Sequence, residues 1–132
     1  MEIPLKFAWA SLIYLVIGST IGVVMVINSM PLTPAHAHIL LLGFVSMMIF
    51  GVGYHLLPVF AGTDLYSLRL AEVQFWLQNI GIVGLAFTMP YRFEGSYKLA
   101  AIVFGAVSLL AIYIFVYNVA RSLIPPKEVK NK

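Results

Sequence analysis

The chain has no cysteine and little charge: eight basic and five acidic residues among 132. Without thiols it can form no disulfide, no thiolate metal site, no iron–sulfur cluster and no CxxCH-type covalent haem attachment. Without charge it cannot cover a water-soluble domain of this length. The few basic residues accompany no recognition motif, so no nucleic-acid partner is expected.

The charges are also unevenly placed, with none in 7–28, 35–60, 73–90 or 99–120. Each window is roughly 18 to 26 residues long, and about 20 apolar residues span a bilayer core as a helix. The hydrophobic share is 61% and the mean hydropathy +0.97. This pattern predicts an all-α membrane protein, a four-transmembrane-helix bundle in contact with lipid. It forms one domain over residues 1–122, followed by a basic tail at 123–132. Four similar windows in succession argue against a cleavable signal peptide, whose apolar core is shorter.

Orientation follows from the basic residues. Four spans put Lys6, Arg69, Arg121, Lys127, Lys130 and Lys132 on one side, and only Arg92 and Lys98 on the other. The basic side faces the cytoplasm. Both termini are therefore expected there, with the tail against anionic headgroups. "SMPLTPAHAH" then opens helix 2 from the outer face.

Within helix 1, Gly18 and Gly22 stand four apart, a spacing that lets helix backbones approach closely. Pro31 and Pro34 suit the entry to helix 2. Pro58 is expected to kink or terminate that helix. Gly43, Gly51 and Gly53 leave room beside its backbone for a neighbouring helix or a flat cofactor. "AGTDLYSLRLAE" is read as a partly amphipathic loop. In helix 3 the Asn79 amide is costly in hydrocarbon unless bonded, so it should face protein, either joining helices or lying near a cofactor.

The three histidines, His36, His38 and His55, carry the chemistry. Ionisable side chains in a span are usually functional, and neutral imidazole binds metals and haem iron. His55, near the inner boundary, is expected to be structural. His36 and His38 lie two apart, so on a regular helix they point about 200° from each other. They cannot both ligate one iron from a continuous helix. Copper could bridge them only at a frayed helix start, and two ligands make a poor site. Seventeen helical residues separate His38 from His55, roughly 25 Å along the axis. A six-coordinate haem thus needs a histidine from a partner chain, or a methionine such as Met25, Met30 or Met89. A five-coordinate haem needs neither.

"HAHILLLGFVSMMIFGVGYHLLP" resembles helix II of the catalytic subunit of haem–copper oxidases, closest to the nitric oxide reductase branch. "FWLQNIGIVGLAF" is similar to that subunit's helix III, and "YIFVYNVARSL" to helix ends of the same group. The likeness covers about residues 7–122 and agrees with the orientation from charge. It implies a prokaryotic cytoplasmic (inner) membrane and a haem b ligated near the outer face. Pro34-Ala-His36 matches the residues before the family ligand, whereas His38-Ile-Leu-Leu-Leu matches those after it, so His38 and His36 both stand as metal ligands. Gly43, Phe44, Met47 and Asn79 are the candidate cofactor pocket.

There are departures. The family subunit has about twelve helices, and its later ones carry the copper-site histidines and further haem ligands. No histidine follows His55, so these four helices alone are not expected to reduce oxygen or nitric oxide. The leading expectation is a membrane b-type haem protein. It would transfer electrons with a redox partner protein or bind a diatomic gas, as a homo-oligomer sharing haem between chains. The alternatives are a subunit of a split oxidase or nitric oxide reductase, and a haem or copper handling factor without redox activity.

Overall fold

A computed structural model describes residues 2–124. Those residues form four helices long and apolar enough to cross a membrane. They are α1 (Ile3–Asn28), α2 (Thr33–Ala61), α3 (Leu68–Thr88) and α4 (Gly95–Ser122). The described part contains no strand. The tail lies outside the described residues from 125 onward.

α1, α3 and α4 start before their charge-free windows, because charged side chains at a helix end can reach polar surroundings while the backbone is already helical. Lys6 and Glu72 illustrate this: the Lys6 ammonium donates to both Glu72 oxygens at 2.7 Å, tying α1 to α3. The stretch read as a loop over 61–72 is therefore helical from Leu68. Ser67 caps α3 by accepting from Leu70 N–H at 3.2 Å. Nor does Pro58 end α2. The helix runs on to Ala61 and stops at Gly62, whose φ of 64° suits a residue without Cβ.

α2 is not uniform. Thr33–His38 is α-helical, Ile39–Ser46 is a π-helix, and Met47–Ala61 is α-helical again. A π-helix closes its hydrogen bonds five residues back and seldom runs beyond one turn. Ser46 assists, its hydroxyl donating to Leu41 O, five residues earlier, at 2.9 Å. Each π residue advances by less than the 100° of an α-helix. The two ends of α2 therefore face directions that a regular helix would not give them.

Small residues set the packing. Gly18 receives Leu40 and Ile39 of α2, and Gly22 receives the His36 ring. Gly43 lies under the Tyr14 ring, and Gly51 against Phe7 and the Pro4 carbonyl. Gly81 and Gly84 of α3 take Ser108 and Phe104 of α4. α1 pairs with α2 and α3 with α4, while α2 reaches α4 only along Met47–Ala61. The core sits towards the end where α1 begins, which we call the N-end. There Phe7 packs 5.6 Å from Tyr54, and Tyr54 packs 5.0 Å from Phe115, ring to ring. Asn118 closes that end by donating to Ser67 O at 2.8 Å and accepting from Ser67 N–H at 3.0 Å.

Candidate functional site

His36 and His38 occupy the first turns of α2, at the end opposite the N-end. Pro34, in the first turn, has no N–H to leave unpaired. The His36 Nδ1 lies 2.9 Å from Gly18 O on α1. The His38 Nδ1 lies 2.7 Å from Pro34 O, one turn back on its own helix. A carbonyl only accepts, so each Nδ1 carries a proton, and in the neutral ring Nε2 is then the nitrogen with the lone pair. An Nδ1–H bonded to a backbone carbonyl is the usual second contact of a ligating histidine; it orients the ring and raises the basicity of Nε2.

The surroundings of the two rings differ. A Cβ at Gly22 would stand 2.8 Å from His36 Cε1 and 3.5 Å from its Nε2. The His36 ring is thus seated in the notch between Gly18 and Gly22, held by α1 on two sides. His38 is bonded only to its own helix, and both residues are half-buried. Both lie in the α-helical portion of α2, so His38 points about 200° from His36, away from α1. At this level α2 makes no close approach to α4.

The other candidate residues are not gathered around these rings. The space beside Gly43 is filled by Tyr14, and Met47 is fully buried in the core. Phe44 is half-buried. Asn79 accepts from the Tyr14 hydroxyl at 2.7 Å and donates to Phe75 O at 2.7 Å. Gly43, Tyr14 and Asn79 thus form one connected group on the α1–α3 side. Two apolar cavities of about 400 and 610 Å³ flank Tyr14 there, and neither histidine lines them. Sequence reasoning passed over Tyr14, although a phenol inside an apolar span must find a partner. The π stretch left no signal in the residues. His55 is exposed at the N-end. Met30 is exposed, and Met89 opens a 3₁₀ turn after α3.

Among the described residues no three His, Asp or Glu side chains stand together to hold a metal ion. A site for a copper ion with several protein ligands has no donor set there. A single imidazole Nε2 would suit one bond to a haem iron, and His36 and His38, both half-buried, each present one.

A four-helix membrane bundle with an imidazole at the mouth of its second span defines the class. The family model described as Cytochrome C and Quinol oxidase polypeptide I matches residues 2–123, and the chain belongs to that family. It is also similar to a cytochrome c oxidase subunit 1 homolog from Agrobacterium tumefaciens (strain T37), with 45% identity over 58 residues. That stretch is 43% of this chain and 11% of the relative.

Proposed function

We propose that this chain binds a b-type haem through His38 Nε2 and serves electron transfer or diatomic gas binding in a cytoplasmic membrane, with both termini inside. When bound, the haem supplies reversible one-electron chemistry. The chain's own residues would hold it through one imidazole nitrogen. Pro34 O holds the His38 proton on Nδ1 and leaves Nε2 as the donor. His36, bonded to Gly18 O, fixes the start of α2 against α1 and so sets the direction of His38. The observation that carries the proposal is this difference in seating between two rings of the same tautomer. In this reading His36 is a positioning residue, and any second iron ligand would come from a second copy of the chain.

A second reading draws on the comparison: the matched stretch is 11% of its relative. The chain would then act as one piece of a larger oxygen or nitric oxide reductase, with the other ligands on another polypeptide. Co-purification of a histidine-rich membrane subunit together with turnover of either gas would favour it. A single-chain complex would count against it.

The test is the visible spectrum of the detergent-purified protein, oxidised and dithionite-reduced, after expression with sufficient haem. Sharp reduced α and Soret bands are expected for two axial ligands; broad bands that move with carbon monoxide are expected for one. His38→Ala should abolish the spectrum, whereas His36→Ala should retain it in a less stable protein. If neither substitution changes it, the ligand assignment fails.

A further inference from the structure

His55 and the charges at the N-end take no part in that function. Around them lies a cleft of about 770 Å³ between the start of α1, the end of α2 and the start of α3. Its polar wall carries both signs: the carboxylates of Glu2, Asp64 and Glu72, the Arg69 guanidinium and the His55 ring. Glu72 is already committed, accepting from Lys6 at 2.7 Å and from Trp76 Nε1 at 3.2 Å. Glu2, Asp64 and Arg69 are exposed and form no ion pair among the described residues. Tyr54 also contributes to the wall. It is only 3% exposed, and its hydroxyl has no hydrogen-bond partner among the described residues.

A second groove, about 380 Å³ and mostly apolar, shares Glu2, Pro4 and His55 with this cleft. It continues along the α1–α2 seam over Leu5, Val52 and Leu56. A cleft rimmed by charged side chains at the helix ends, adjoining an apolar groove along the span, has the shape of an amphiphile. The charges select its head. A phosphate finds the fork of Arg69, which matches its oxygens. A purely anionic head would also meet two uncommitted carboxylates. An ammonium, with three donors and no acceptor, satisfies those carboxylates.

We propose that cleft and groove together hold one phospholipid with a primary-ammonium headgroup, of the phosphatidylethanolamine type. Its phosphate rests on Arg69, its ammonium on Asp64 and Glu2, and one acyl chain follows Leu5, Val52 and Leu56. His55 stands at the junction of head and chain.

The test is native mass spectrometry of the full chain after incubation with equimolar phosphatidylethanolamine, phosphatidylcholine and phosphatidylglycerol of matched chains. One bound phosphatidylethanolamine is expected, retained about tenfold over phosphatidylcholine, the scale of one hydrogen bond to a charged group. The two lipids differ only in methyl groups that remove the ammonium donors, so this comparison requires no variant. The double substitution Glu2→Gln with Asp64→Asn should bring the ratio to about one. Arg69→Gln should lower retention of both zwitterionic lipids alike. All three sites are exposed, and far-UV circular dichroism checks that helix content is unchanged. Equal retention of the two zwitterionic lipids by the unaltered chain overturns the proposal. So does preference for phosphatidylglycerol, or a double variant that still discriminates.

Discussion

Gly81 and Gly105 both belong to the α3–α4 pair, yet an added methyl should act oppositely at the two. At Gly81 the new Cβ would stand 2.7 Å from Ser108 Cβ and 3.0 Å from both Cα and N of Ser108. Two of those atoms are backbone, so rotating a side chain cannot relieve the clash. Restoring about 3.5 Å requires the helices to part by roughly 0.8 Å. The buried bond from Gln78 Nε2 to Ser108 Oγ, now 3.0 Å, would then lie beyond hydrogen-bond reach. Overpacking costs about 1–3 kcal/mol, and an interhelical hydrogen bond in a membrane bundle about 0.6–2. Gly81→Ala should therefore destabilise by about 2–4 kcal/mol. At Gly105 the same methyl would meet only Leu85 Cδ2, at 3.9 Å. Gly105→Ala should stabilise by about 0.5–1 kcal/mol through the backbone entropy of the unfolded chain. Unfolding in mixed micelles of mild detergent and dodecyl sulfate, followed by far-UV circular dichroism, gives both values. Shifts of the same sign and similar size would refute the α3–α4 register on which this reasoning stands.

Two further outcomes are expected. Gly22→Ala places a Cβ 2.8 Å from His36 Cε1 and should cost about 1–3 kcal/mol, while leaving the haem spectrum in place. If instead the spectrum is lost here and retained in His38→Ala, His36 is the ligand. Gln74 is fully buried with neither amide atom bonded among the described residues. Gln74→Leu should therefore stabilise by about 1–3 kcal/mol in the same unfolding assay, and a loss of that size would show that the amide is satisfied in the folded protein.

Much of this architecture could be read before any coordinates. The spans follow from where charge is missing, because hydrocarbon excludes ions whatever the tertiary arrangement, and Pro31 and Pro34 divide the uncharged run 7–63 into the first two. The Gly18–Gly22 spacing marked a close approach, and the proline and histidine run marked the start of α2. The polar demand of Asn79 was also visible, since an amide in a span needs a partner. Its partner was not: Tyr14 lies 65 positions away, and nothing local to either residue announces the other.

The chain's composition, its long uncharged runs and the prolines at 31 and 34 determined that it is a four-span membrane protein with two imidazoles at one end of its second span. Those are properties of each segment against lipid, and they need no neighbour. Only the tertiary structure decided which imidazole is seated against α1 and which is bonded to its own helix. Gly18 and Gly22 of α1 admit the His36 ring, while His38 bonds to its own helix and faces the other way. The same holds for the π-helix that reorients α2 between Ile39 and Ser46. Its hydrogen-bond register depends on what packs against it, and residue preferences alone do not encode that.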